Sequence, residues 1–420
     1  MNNELVCEDK PSVEYVNPLV KFARKLLRDR VNNLSFGRLV IRDCLDFEKN
    51  IVHKDDIIVE VHDLRFYLDV MISGSNGAAG AYRDGYWSCN NLTALFQLLL
   101  RNQQTMDSMD TGMATIGKLW SRKRHMSNAN TREGSRKNIH AHYDLGNDLF
   151  ELMLDKTMTY SSGYFASDDA SMEEASSEKL DMICRKLNLS SSHDVLEIGT
   201  GWGSFAIHAA RYYGCHVTTT TISKEQHKLA TQRVRDANLH DLIDIQLCDY
   251  RDLEGVYDRL VSIEMIEAVG HDFLPTYFSS CSRLLKENGQ ACIQAITMPD
   301  QRYERYLQSS DFIQEFIFPG SCVPSLTAIQ NAITDGSDFR ISHLEDFGLH
   351  YGKTLRTWRD TFMQRLDEVR KLGYSEDFIR TWEYYLCYCE AGFRERYTGV
   401  TQLVLDKPAF NRCDLAKEAA

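Results

Sequence analysis

One stretch of the chain decides its fold: Val195-Leu196-Glu197-Ile198-Gly199-Thr200-Gly201-Trp202-Gly203-Ser204. Four residues with strand character lead into a glycine-rich turn, and residues 205–210 continue as a predicted helix. A strand, turn and helix of this kind let the backbone approach a nucleotide-like ligand closely, because glycine has no Cβ. A glycine turn by itself is also compatible with a simple tight connection, so the interpretation depends on its surroundings.

The residues that follow alternate between strand and helix patterns, as a doubly wound parallel α/β sheet requires. Further strands are predicted at 215–220, 243–247, 258–263 and 290–297. Ser223 is predicted to cap the helix that begins at Lys224, with Gln226 as its capping-box partner. Ligands of such sheets lie beyond the carboxyl ends of the strands. The polar residues after these strands are therefore expected to meet in one crevice.

The spacing Gly-x-Gly-x-Gly differs from the dinucleotide pattern and suits a ligand without a pyrophosphate, such as S-adenosylmethionine. The predicted cofactor-binding residues lie in the turn and after the next two strands: Gly199, Gly201, Gly203, Thr221, Gln226, Asp249 and Tyr250. The glycines would leave room for the methionine and ribose portions. Thr221 and Gln226 would bind the ribose hydroxyls, and Asp249 and Tyr250 would contact the adenine. Asp249 alone is also compatible with a solvated loop acid. The pattern predicts a class I methyltransferase sheet.

Composition restricts the class of protein. A chain of 420 residues is too long for one compact core, and a net charge of −12 argues against nucleic acid as a partner. The sequence has no apolar run of about 20 residues and no signal-peptide pattern, so we expect a cytoplasmic protein. Its 12 cysteines form no C-x-x-C pair, which indicates reduced thiols and no metal site.

The chain is predicted to contain a smaller N-terminal α+β domain at 1–115, a basic polar linker at 116–137, the catalytic domain at 138–408 and a tail at 409–420. Basic residues cluster on a helical pattern between Lys21 and Arg30 and again between Lys118 and Lys137. Such segments can hold an acidic protein on an anionic membrane surface, although a solvated linker has the same composition. A peripheral membrane location and a possible homodimer are expected.

Several separated motifs resemble those of the cyclopropane-fatty-acyl-phospholipid synthase family, in the same order. They are 138–150 (NIHAHYDLGNDLF), 158–165 (MTYSSGYF), 264–270 (EMIEAVG), 347–355 (FGLHYGKTL) and 382–385 (WEYY). The resemblance covers most of residues 35–408. It implies transfer of a methylene group from S-adenosylmethionine to the cis double bond of an unsaturated acyl chain in a membrane phospholipid.

The resemblance also implies a bicarbonate ion as the base, with its ligands carried over position by position. Glu267, Ile296 and Tyr351 match the family, whereas Ser162 replaces a Cys and Gln294 replaces a His. The backbone at Ser162 can still make its contact. Residues 294–303 resemble the branch that includes fused plant cyclopropane synthases, where Gln is usual, so Gln294 is interpreted as a subfamily feature.

Three further assignments come from the resemblance. Tyr160 and Ser161 would bind the methionine carboxylate, and Cys389 matches a cysteine often described as active. A lone buried cysteine is also typical of a core, and no base is adjacent to Cys389 in sequence. The aromatic-rich insertion 300–326 would cover the acyl chain or belong to the core.

The predicted function is therefore that of a cyclopropane fatty acid synthase. Two alternatives stay open. The same cation could yield a methyl- or methylene-branched acyl chain. The two replaced base-site positions are also compatible with a lipid- or cofactor-binding protein with little catalysis.

Overall fold

The computed structural model describes residues 16–46, 53–103 and 146–410. The chain divides into two compact units, Met1–Gly117 and Lys118–Ala420. The predicted linker at 116–137, the domain boundaries beside it, the second basic segment and residues 411–420 of the predicted tail lie outside the described residues. The predicted domain limits therefore stay predictions.

The described part of the N-terminal unit is a small α+β structure. Its elements are α1 (Pro18–Val31), β1 (Leu39–Arg42), β2 (Ile57–Val61), α2 (Arg65–Arg83), β3 (Trp87–Cys89) and α3 (Leu92–Arg101). The three strands form one sheet in the order β1-β2-β3, with β1 parallel and β3 antiparallel to β2. The glycine-rich segment 73–80 lies inside α2, which is kinked at Gly74. Asn91 caps α3 by accepting from the Ala94 N–H.

The second unit is built on a seven-stranded sheet. Its strands are β4 (Asp194–Ile198), β5 (His216–Thr221), β6 (Ile243–Leu247), β7 (Tyr257–Ile263), β8 (Leu285–Thr297), β9 (Arg340–Asp346) and β10 (Gly399–Asp406). Its helices are α4 (Asn147–Met153), α5 (Met172–Lys186), α6 (Ser204–Tyr213), α7 (Lys224–Asp236), α8 (Leu274–Arg283), α9 (Asp300–Leu307), α10 (Leu326–Gly336), α11 (Gly348–Gln364), α12 (Leu366–Lys371) and α13 (Glu376–Arg394).

The strand order β6-β5-β4-β7-β8-β10-β9 confirms the predicted doubly wound class I methyltransferase sheet. Strands β4 to β8 pair in parallel, and β10 runs antiparallel to both of its neighbours. The order of strands along the chain reverses between β4 and β7. A crevice forms at such a switch point, because the connections leave on opposite faces.

Alternation along β4 places apolar side chains on both faces of the sheet. Val195 packs with residues of α5 and α6 on one face, including Ile183 and Phe205. Leu196 packs with residues of α8 and α10 on the other face. Both layers hold β4 rigidly, which fixes the position of the glycine turn at its carboxyl end. None of the helices in the described ranges is long and apolar enough to cross a bilayer.

Candidate active site

The glycine turn presents bare backbone beyond the carboxyl end of β4. Gly199, Gly201 and Gly203 all have positive φ angles, of 103°, 51° and 85°. Other residues are strained in this region. A Cβ built at Gly201 meets no atom of the described residues within 4 Å, whereas one at Gly199 lies 3.3 Å from Cγ of Met265. The turn therefore keeps an open approach at Gly201 and packs closely against the end of β7 at Gly199.

The residues after β5 form a compact polar group. The Ser223 side chain accepts from the Gln226 N–H at 3.3 Å, which confirms the predicted helix cap. The predicted capping box is not formed, because the Gln226 side chain accepts from the Thr221 hydroxyl at 2.8 Å instead. Thr221 in turn accepts from the Ser223 N–H at 3.1 Å. These bonds hold Thr221 and Gln226 together, where ribose binding was predicted.

The predicted adenine residues lie after β6. The Asp249 carboxylate accepts from Nε and Nη2 of Arg251, at 2.8 and 2.7 Å. The Tyr250 ring packs against Tyr277, with 5.6 Å between the ring centroids. Asp249 is thus an ion-paired residue rather than a solvated loop acid. Its role toward adenine stays a prediction.

Tyr160 and Ser161, predicted to bind the methionine carboxylate, lie in the segment before α5. The Tyr160 hydroxyl lies 3.0 Å from the hydroxyl of Tyr385. The Ser161 hydroxyl accepts from Nζ of Lys179 at 2.8 Å. Lys179 is completely buried, and burial lowers its pKa to about 8, against the attraction of Glu264 and Glu197.

Glu264, at the carboxyl end of β7, is the residue on which the predicted base-site donors converge. Its Oε1 accepts from the Ser162 N–H at 2.9 Å and from Nε2 of Gln294 at 2.7 Å. Its Oε2 accepts from the Tyr351 hydroxyl at 2.7 Å. The prediction grouped Ser162, Gln294 and Tyr351 around an ion shared with Glu267, and the structure instead places them on Glu264.

Glu267 occupies a separate position one turn later. Its Oε1 accepts from the Ile296 N–H at 2.5 Å, and its Oε2 is buried with no hydrogen-bond partner among the residues that the structure describes. Burial and the neighbouring charge of Glu264 raise the pKa of Glu267 to about 8. The surroundings of Glu267 therefore favour its protonated form, whereas Glu264 accepts three hydrogen bonds that favour its ionised form.

A chain of buried polar groups fixes the orientation of Gln294. Nζ of Lys186 donates to Oε1 of Gln402 at 2.6 Å, and Nε2 of Gln402 donates to Oε1 of Gln294 at 3.0 Å. Lysine is only a donor, so each amide must present its oxygen toward Lys186. Gln294 is left with its NH₂ group toward Glu264, which favours the ionised form of that carboxylate.

Cys389 is not among the hydrogen-bond partners of Glu264 and Glu267. Cys389 lies in α13, and it makes none of the hydrogen bonds to Glu264 or Glu267. Burial is the main cause of a strongly raised pKa for its thiol. A thiol of this kind is a weak nucleophile, because the thiolate is the reactive form. The raised pKa therefore argues against a reactive thiolate at Cys389, which is a partly buried residue.

Aromatic side chains enclose the polar centre. Tyr160 packs against Trp358 at 5.2 Å and Phe150 at 5.0 Å between centroids, and Tyr351 stacks on Phe393 at 4.4 Å. Phe318, from the insertion 300–326, lies edge-on to Tyr385 at 6.2 Å. Phe312 of the same insertion is buried against Tyr384 of α13. The insertion thus contributes both to the core and to the aromatic group around Tyr160.

The sheet, with its glycine turn at the switch point and polar residues after the neighbouring strands, defines an S-adenosylmethionine-dependent methyltransferase. Residues 130–403 match the family described as mycolic acid cyclopropane synthetase, and the chain belongs to that family. It is similar to the tuberculostearic acid methyltransferase UfaA1 of Mycobacterium tuberculosis, with 40% identity over 79% of each chain. It is also similar to the cyclopropane-fatty-acyl-phospholipid synthase of Escherichia coli K12, with 35% identity over 86% of this chain and 90% of that protein.

Among solved structures, the chain resembles mycolic acid cyclopropane synthase CmaA1 complexed with SAH and CTAB. The TM-score is 0.61 and the identity 32%, and the match covers 65% of this chain and 98% of that one. Coclaurine N-methyltransferase, also solved with SAH, has a TM-score of 0.58 at 18% identity, which supports the fold alone. These comparisons confirm the methyltransferase prediction.

Sequence reasoning missed Glu264, Lys179 and Gln402. Glu264 was within a quoted motif, but only the second glutamate of that motif was assigned. The predicted strands contained the missing signal, because β7 and β8 are adjacent and Ile263 pairs with Gln294. An acid directly after Ile263 therefore had to lie close to Gln294. Lys179 and Gln402 had no comparable signal, because their partners are distant in sequence.

Proposed function

We propose that this methyltransferase forms a cyclopropane ring across the cis double bond of an unsaturated acyl chain carried by a membrane phospholipid. The observation that carries the proposal is the Glu264 carboxylate, held by three donors next to the glycine turn. Ring formation requires removal of a proton after methyl transfer, and a fixed carboxylate can accept it. The similarity to the E. coli phospholipid synthase extends beyond the matched family region and supports a lipid substrate.

The residues of the crevice fit the methyl donor. The glycine turn leaves open backbone at Gly201, and Thr221 and Gln226 form a fixed polar pair after β5. When bound, S-adenosylmethionine supplies an electrophilic methyl group on a positively charged sulfur. The aromatic rings around Tyr160 exclude water and present faces that stabilise a nearby cation. These properties suit a reaction in which an alkene, a weak nucleophile, must be aligned in a dry site.

The bicarbonate ion that the family resemblance implies does not fit this arrangement. Its expected donors at Ser162, Gln294 and Tyr351 already bind Glu264, and the Ile296 N–H binds Glu267. No step is therefore derived through bicarbonate.

Helix α1 of the N-terminal unit supports action at a membrane surface. Leu19 and Phe22 are each 59% exposed, and Lys21 and Lys25 are exposed beside them. Apolar and basic residues together are typical of a helix that lies in the bilayer interface. Arg24 and Arg28 of the same basic cluster are ion-paired with Asp43 and Asp46, so they contribute less than predicted. We propose a peripheral location on the cytoplasmic face, and a homodimer stays a prediction.

The membrane proposal is tested by vesicle flotation of the full chain. We expect binding to anionic vesicles that weakens as salt increases, because the Debye length falls to about 3 Å at 1 M. Replacing Lys21 and Lys25 by Gln should weaken binding by about 1 kcal/mol per charge. Equal binding to neutral and anionic vesicles at every salt concentration would contradict this proposal.

A second candidate is a methylene-branched product, favoured by the 40% identity to UfaA1, a tuberculostearic acid methyltransferase. A hydride shift in the same cation would move the charge to the methylated carbon. Loss of a methyl proton would then form a C=C bond instead of a ring. Both products gain one carbon and two hydrogens, so mass does not distinguish them.

The product is identified by expression in a host that lacks such an enzyme. The fatty acids are analysed by mass spectrometry and proton NMR, with a Gly201→Val variant, which is expected to bind the cofactor weakly, as the control. Upfield cyclopropane protons support the proposed function, and vinylic methylene signals without them support the second candidate. Unchanged fatty acids, from wild-type protein that binds the cofactor, would refute both.

A further inference from the structure

The hydrogen-bond donors expected to bind an external base are satisfied by the chain itself. We propose that Glu264 is the general base of the reaction and takes the place of a bicarbonate ion. This inference rests on the proposed function, since it names the group that accepts the proton. Like bicarbonate, a carboxylate presents planar oxygens to the Ser162 N–H, the Gln294 amide and the Tyr351 hydroxyl.

The carboxylate of Glu264 retains capacity for a proton. An ionised carboxylate has about four lone-pair sites. Oε1 accepts two hydrogen bonds and Oε2 accepts one, from Tyr351. One site on Oε2 has no donor among the described residues, and the three donors fix its direction. A base that is oriented before the substrate arrives needs no reorganisation during the reaction.

The backbone supports a functional role for this residue. Glu264 has a φ of 48°, in the left-handed region that residues with side chains rarely adopt. Strain of this kind persists where the surrounding structure determines it and is concentrated in active sites. The following residue, Met265, packs against the glycine turn at Gly199. The strained turn thus holds Glu264 beside the segment that is expected to bind the methyl donor.

The two glutamates of the motif 264–270 differ in their surroundings. Burial raises the pKa of Glu264, but the bonds from Tyr351 and Ser162 and the charge of Lys179 oppose that rise. Glu267 accepts one backbone bond and lies near Glu264, and both its burial and that neighbour favour its protonated form. When two carboxyl groups have such different environments, the one bound by three donors is suited to act as base.

The reaction balances with Glu264 as the only proton acceptor. Methyl transfer breaks a C–S bond, whose electrons remain on sulfur, and forms a C–C bond to one alkene carbon. The other alkene carbon then carries the positive charge. Oε2 of Glu264 takes a proton from the transferred methyl group, and the electron pair of that C–H bond closes the ring. The resulting carboxylic acid returns its proton to solvent before the next turnover.

The experiment compares wild-type protein with Glu264→Gly, because glycine tolerates the φ of 48° and removes the carboxylate. Turnover is measured on vesicles of oleoyl-chain phosphatidylglycerol in buffer freed of carbon dioxide, with and without added bicarbonate. We expect wild-type turnover to be independent of bicarbonate. The glycine variant should lose about 10²- to 10⁴-fold and recover at least in part when bicarbonate occupies the donors that it exposes.

Calorimetry with S-adenosylmethionine checks that each variant is folded. Glu287→Gln removes the charge of an exposed glutamate and is the matched control for loss of a carboxylate outside the site. If the glycine variant does not fold, the isosteric Glu264→Gln variant should show the same loss. A wild-type enzyme that requires bicarbonate, or a Glu264 variant with normal turnover in its absence, would overturn the proposal. A folded wild-type protein that alters no lipid under any condition would instead refute the proposed function.

Discussion

The two halves of the crevice use different parts of the polypeptide. The half after β4 and β5 combines exposed backbone, with three glycines at positive φ and an open approach at Gly201, with the polar pair Thr221 and Gln226. The half after β7 and β8 is formed by side chains, with Glu264 bound by three donors from distant segments. The first half is therefore suited to bind a ligand, and the second half to hold a charge. Substitutions in the first half should therefore change the affinity for S-adenosylmethionine, and substitutions in the second half should change turnover.

The largest effect is expected in the second half. Glu264→Gln should reduce turnover by about 10²- to 10⁴-fold, because an amide cannot accept the proton. The affinity for S-adenosylmethionine should change little, because the glycine turn is intact. Steady-state turnover and calorimetric titration measure the two quantities separately. Equal losses of turnover and affinity would contradict the division of the crevice.

The reverse pattern is expected in the first half. Gly201→Val should weaken binding of S-adenosylmethionine by about tenfold for each ~1.4 kcal/mol of contact free energy that is lost. A β-branched residue is strained at a φ of 51°, and its side chain enters the open approach. Titration with S-adenosylmethionine and with its demethylated product measures this loss. Val217→Ala, in the core of the same sheet, controls for a general loss of stability.

The first half could be predicted from sequence because its signals are local. The glycine spacing, the strand patterns and the Ser223 cap each depend on residues only a few positions apart. The second half depends on distant pairs: Glu264 is separated from Ser162 by 102 positions and from Tyr351 by 87. Resemblance gave these two residues and Gln294 as members of one site. It did not give the acid on which they converge, because the family motif directed attention to Glu267.

A smaller effect should follow from breaking the relay that orients Gln294. Gln402→Leu removes the amide between Lys186 and Gln294, both of which then lose a buried partner. An unsatisfied buried group costs about 1–3 kcal/mol, so the free energy of unfolding should fall by that amount. Turnover should also fall, because Gln294 is free to turn its oxygen toward Glu264.

A double-mutant cycle distinguishes this relay from ordinary packing. Lys186→Met and Gln402→Leu should be clearly non-additive in both turnover and stability, since they interrupt one chain of hydrogen bonds. Additive effects would show that Lys186 does not determine the orientation of the two amides.

The smallest effect concerns Glu267, whose pKa is raised by burial and by Glu264 to about 8. In the window between the ordinary glutamate pKa and about 8, the native protein binds a proton that the unfolded chain releases. The stability of the wild-type protein should therefore fall as the pH rises through this window. Glu267→Gln resembles the protonated acid and keeps an acceptor for the Ile296 N–H, so it should lack this slope. Denaturant unfolding at pH 5, 6.5 and 8 should show that the free energy of unfolding of the variant rises relative to that of the wild type, by at least about 1 kcal/mol at pH 8.

The turnover of Glu267→Gln should fall much less than that of Glu264→Gln. A Glu267→Gln variant that is the less active of the two would assign the base to Glu267. That result would also contradict the role given to Glu264 in the second half of the crevice.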